Sequence, residues 1–139
     1  MKKNWILLIS LVWFLAACDG NLKKENEVLK EEVIAIHDEV MPLMGDLKNY
    51  QKQVEKRISQ ADSLGITPEE VANLKAIALD LGNSFEGMFV WMRQFKTSFD
   101  EMPDEQVRDY LLEQKILVEK VNADIKKSIE NYKANFGEK

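Results

Sequence analysis

The chain has 139 residues, 19 basic against 24 acidic side chains, and a formal charge of −5. That length suits one domain. The acidic balance weighs against nucleic acid and anionic lipid headgroups as partners, because both carry the same sign of charge.

The first segment reads as an export signal. Lys2 and Lys3 form a basic start, Trp5 to Leu15 run without a charge, and small residues follow at Ala16 and Ala17. This is the layout of a secretory leader, and its apolar run of roughly a dozen residues is too short to span a bilayer, which takes about 20. The end of the run, Leu15-Ala16-Ala17-Cys18, resembles the lipobox of bacterial lipoproteins. The resemblance implies a diacylglyceryl group on the Cys18 sulfur, cleavage between Ala17 and Cys18, and acylation, for example by palmitate, of the new amino group. Two or three acyl chains hold a protein stably where one holds it only marginally. Cys18 is the sole cysteine, so no disulfide can form within the chain. Without Lys2 and Lys3 the 19 basic residues become 17 against 24 acidic, a formal charge of −7. Asp19 resembles a signal for inner-membrane retention in some enteric bacteria, a rule that does not extend across bacteria. Inner and outer membrane both stay open.

Residues 18–27 read as the acylated cysteine and a short polar tether, with 28–139 as the folded domain. From Leu29 the apolar positions step through Val33, Ile36, Val40, Leu43, Leu47, Tyr50, Val54 and Ile58 to Ala61, alternating three and four. Such spacing lays them on one stripe of a helix, expected over 22–61. Pro42 lies inside it and is expected to kink it near Ile36 to Val40. The stretch Asp62 to Ile66 interrupts the pattern.

Thr67-Pro68-Glu69-Glu70 is a helix start with a mechanism: a capping hydroxyl, a proline where no amide hydrogen is needed, and acids at the positive end of the dipole. Glu70 completes a capping box with Thr67. The stripe Val71, Leu74, Ala78, Leu81, Phe85, Met88, Met92, Phe95 and Phe99 extends this helix over 68–99. After Pro103 a third helix, 104–136, carries Val107, Leu111, Val118, Val121, Ile125, Ile129, Tyr132 and Phe136, with Gly137 as a stop. No segment alternates with period two. The expected class is all-α, an up-down-up three-helix bundle, because short connections force antiparallel neighbours. An extended coiled-coil dimer competes, and the breaks at Gly65-Pro68 and Pro103 favour the bundle.

The inventory for catalysis is thin. His37 is the only histidine, and glycine is sparse, so neither a nucleophile–histidine triad nor a phosphate-cradling loop can be assembled. A di-iron bundle needs two Glu-x-x-His motifs, but Ile34 precedes His37 by three. His37-Asp38-Glu39 is not His-Glu-x-x-His, and no acidic loop suits calcium. The chain is therefore expected not to be an enzyme, and its acids read as the solvated, salt-bridged faces of helices.

One constellation comes from register. If the first two helices pair about the turn at Asp62 to Thr67, facing residue numbers sum to about 129. His37 then lies level with Met92, Met41 with Met88, and Met44 with Phe85. Trp91, the one tryptophan beyond the leader, stands at the same height. Thioether and imidazole ligands suit monovalent copper, and an indole face adds a cation contact. Two other readings stand beside this one. Methionines fill the irregular space at a proline kink. Alternatively, with Phe85, Phe89, Trp91 and Phe95, they line a groove for an amphipathic helix or an apolar ligand.

The segments His37-Asp38-Glu39-Val40-Met41-Pro42 and Met88-Phe89-Val90-Trp91-Met92-Arg93-Gln94-Phe95 resemble small helical bacterial lipoproteins, some labelled viral A-type inclusion proteins. That resemblance brings no activity, and only the acylated Cys18 carries over. The leading expectation is a lipid-anchored, non-enzymatic helical module in the cell envelope, binding an unidentified envelope protein or giving structural support. The rival is a copper binder using His37, Met41, Met44, Met88 and Met92.

Overall fold

The computed structural model describes residues 19–137. The leader, its cleavage point and Cys18 lie outside the described residues. In chain order the elements are α1 (Asp19–Val40), a 3-10 turn (Met41–Leu43), α2 (Met44–Ser59), α3 (Ala61–Leu64), α4 (Pro68–Gln94) and α5 (Asp104–Phe136). Among the described residues there is no strand, and no helix is long and apolar enough to cross a membrane.

The segment expected as a tether is helical. α1 starts at Asp19, and Asn26 is buried, its side-chain amide donating to the Asp104 carbonyl oxygen over 2.8 Å. A second contact holds the same stretch, since Glu25 pairs with Arg108 at 3.4 Å. Polar composition suggested a free tether, but contacts with α5 order these turns.

Pro42 acts where α1 ends. It has no N–H to give to the carbonyl one turn back, so the ladder tightens to the 3-10 spacing over Met41–Leu43, with Met44 N–H donating to Met41 O. The break falls just beyond the expected Ile36–Val40 and has a consequence for packing. Before it, α1 lies on α5; after it, α2 lies mainly on α4. The turn moves one arm of the chain from one neighbour to the other.

α1 and α5 run in the same direction. Glu25–Arg108, Glu32–Lys115 and Glu39–Asn122 each join residues 83 positions apart, at one-heptad steps. The two ion pairs are exposed and contribute little energy, whereas Asn122 is buried, and together the three contacts hold register. α4 runs against both neighbours: His37 meets Trp91 and Gln51 meets Gly82 on one side. On the other, Ser84 Oγ donates to Asp124 O at 3.2 Å, and Lys96 N–H donates to the Tyr110 hydroxyl at 2.7 Å.

Between the helices sits a single apolar cluster that includes Val33, Val40, Leu47, Ile77, Leu81, Met88, Val118 and Ile125. Leu47, Leu81, Leu111 and Ile125 are fully buried, and burying one such side chain contributes about 1.5–3 kcal/mol. Tyr132 closes one end of the core. Its ring stacks on Tyr50 at 4.1 Å and its hydroxyl donates to Gln53 Oε1 at 2.9 Å. Burial first, and then the neighbouring Tyr50, push the Tyr132 hydroxyl above the usual tyrosine range.

α4 begins with the full capping box, Glu70 N–H donating to Thr67 Oγ1 at 3.2 Å and Thr67 N–H to Glu70 Oε2 at 2.8 Å. It stops at Gln94 and not near Phe99 as the stripe suggests. Side chains take the backbone groups that a longer helix would use. Tyr110 accepts from Lys96 N–H, and Thr97 O accepts from Lys30 Nζ at 2.6 Å. Phe95 and Phe99 then pack on Tyr110, with ring centroids 6.3 and 5.6 Å away. At the other break Gly65 has φ +63°, the left-handed conformation that ends α3 and favours glycine.

Candidate functional site

The last turn of α1 points His37 at α4. Asp38 supports the ring, its carboxylate accepting from Nδ1–H at 2.8 Å. In the neutral imidazole the lone pair is then on Nε2, and Nε2 is buried with no hydrogen-bond partner. The opposing ring is Trp91, 6% exposed, with centroids 5.5 Å apart and planes tilted by 34°. Its Nε1–H is also buried without a partner. A buried polar group left unpaired costs about 1–3 kcal/mol, so two in one contact mark this place out from the rest of the core.

Register sets the surroundings. Because α4 runs opposite to α1, the turn that carries the chain from His37 to Met41 carries the facing side from Trp91 back to Met88. Met88 is fully buried, and Met41 is half-buried against the same core. Met44, a further turn along, is also buried. Met92 is not part of this group: it is 39% exposed, and Trp91 occupies the inward position that the sequence register gave to it. A three-or-four step from Met88 reaches either residue, and the larger ring gains more by burial.

The four residues of the expected aromatic groove divide similarly. Trp91 turns into the core, while Phe85, Phe89 and Phe95 are half-buried against it. Phe85 and Phe89 meet at 5.0 Å and Trp91 stacks on Phe95 at 4.9 Å. Among the described residues no group of three or more His, Asp or Glu side chains is placed to hold a metal ion.

A second feature escaped the sequence reading. Where α1 begins and the 95–103 connection crosses it, a cavity of about 570 Å³ opens, lined by Lys23, Asn26, Lys30, Phe99, Asp104 and Val107 among others. Asn26 Oδ1 is buried there without a partner, and Lys30 Nζ stands 5.3 Å from the centre of the Phe99 ring. The available signal was an asparagine on the apolar stripe, three residues before Leu29.

No family model, curated protein or solved structure matches this chain.

Proposed function

We propose that the chain is a lipid-anchored lipoprotein of the bacterial cell envelope that acts as a non-enzymatic helical module. The observation that carries this reading is Leu15-Ala16-Ala17-Cys18 followed at once by α1. An acyl group on Cys18 would join the helical body without an intervening linker. The module would therefore stand on the membrane through α1, with the 95–103 connection at its membrane-side end.

The finer architecture in this reading is an up-down-up three-helix bundle. α1 and α2 form one kinked arm, α4 returns, and α5 runs parallel to the arm, as the constant offset of 83 along α1 and α5 supports. Leu112 and Ile116, one turn apart on α5, stand out into solvent and offer apolar positions to a protein partner. The acidic balance makes nucleic acid an unsuitable partner.

Fractionation of bacterial cells producing the chain tests the reading. The wild-type protein is expected in one membrane fraction and extractable only with detergent, and Cys18→Ser is expected to lack acylation and cleavage at this position. Release of the wild-type chain by salt alone, or an unaltered Cys18→Ser product, would contradict it. A second reading, soft-metal binding, is favoured by one observation, the unpartnered Nε2 of His37.

A further inference from the structure

We propose that His37 Nε2, together with the thioethers of Met41 and Met88, forms a binding site for copper(I) against the ring of Trp91. This goes beyond the anchored-module reading and stands whether or not Cys18 is acylated.

Four observations converge. First, Asp38 accepts from His37 Nδ1–H at 2.8 Å, the arrangement in which a carboxylate fixes the tautomer and ring orientation of a metal-binding imidazole. Second, the free nitrogen of that ring is enclosed by protein and has no donor to accept from. Third, Met41 opens the 3-10 turn four residues after His37 and Met88 is one turn from Trp91 on α4, so the antiparallel register sets both methionines one level beyond the His37–Trp91 contact. Both belong to the packed interior or its edge. Fourth, Trp91 lies 5.5 Å from the imidazole, centroid to centroid, and its ring can stabilise a bound cation.

The donor chemistry selects the ion. One imidazole and two uncharged thioethers offer no negative charge, which disfavours hard divalent cations. Copper(I) is soft, carries one positive charge, and accepts low coordination numbers with nitrogen and thioether sulfur. Asp38, outside the donor set, supplies the compensating charge through the ring. The 3-10 turn at Met41–Leu43 sets the Met41 backbone just outside the regular α-helical ladder that carries His37.

The test uses the full chain with Cys18→Ser, which removes the one thiol able to take copper(I) and separates this question from lipid attachment. In detergent, under anaerobic ascorbate, copper(I) is competed against a chromophoric chelator. One equivalent is expected to leave the chelator. His37→Gln and Met88→Leu are expected to weaken this by about tenfold or more, and Met92→Leu to leave it unchanged. Circular dichroism checks helical content, and Met88→Leu, which conserves volume, decides the matter should His37→Gln lose structure. If the chelator keeps all its metal, or if Met88→Leu and Met92→Leu bind as the parent does, the site does not exist.

Discussion

The side-chain amide of Asn122 donates to the carbonyl oxygen of Ile36, 2.9 Å away, and to Glu39 Oε2 at 2.8 Å, so one residue of α5 holds two of α1. Asn122 is buried, and a polar group on a core stripe that finds its partner in only one register penalises slippage. Asn122→Ala is expected to cost about 1–3 kcal/mol in urea unfolding. The same change should move the Glu39 carboxyl upward. Hydrogen bonds from Lys126, and then from Asn122, hold it below the ordinary range. Carbon-13 NMR titration of Glu39 is the direct check, and a value unmoved by Asn122→Ala would show that the bond is not made in solution.

The start of α4 should be pH-sensitive in a defined direction. The Thr67 N–H and then its hydroxyl hold the Glu70 carboxyl below its usual range. A group depressed in the folded state stabilises above its unfolded pKa, and this contribution is lost as pH falls through the folded value. Thr67→Ala is expected to cost about 1 kcal/mol near neutral pH, a difference that shrinks once Glu70 is protonated. A difference that instead grew in acid would reverse the assignment.

Two leucines in one helix offer a contrast in burial. Leu81 is fully buried and Leu79 is 64% exposed. Leu81→Ala should lower stability by about 2–5 kcal/mol. Leu79→Ala should stay within about 0.5 kcal/mol of the parent. Equal losses at the two positions would mean that α4 is rotated from the orientation described.

Trp91 separates ring packing from hydrogen bonding. Its N–H has no partner, so Trp91→Phe removes an unsatisfied donor as well as some apolar area and should change stability by less than about 1.5 kcal/mol. Trp91→Ala removes the packing against His37 and Phe95 and is expected to cost about 3–5 kcal/mol. A large loss in Trp91→Phe would reveal a hydrogen bond to the indole.

Much of the helical organisation was legible because the apolar spacing is regular. Val33, Val40, Leu47 and Val54 lie on the stripe drawn from Leu29, and all four are buried. The register drawn from the turn at 62–67 comes within one residue of the observed His37–Trp91 contact. Three things were hidden, each for a physical reason. The change of partner at Pro42 depends on how α5 docks, which no local pattern carries. α4 ends early because Tyr110, distant in sequence, captures Lys96 N–H. Asn26, Gln114 and Asn122 are polar residues at buried positions, which a pattern built on apolar residues passes over.

The most direct measurement is the intact mass of the protein extracted from bacterial membranes. Lipid attachment at Cys18 requires residues 18–139 plus a diacylglyceryl group and, where the amino group is modified, a further acyl chain. A mass equal to the uncleaved chain, or to residues 18–139 with an unmodified thiol, would contradict the anchored-module account.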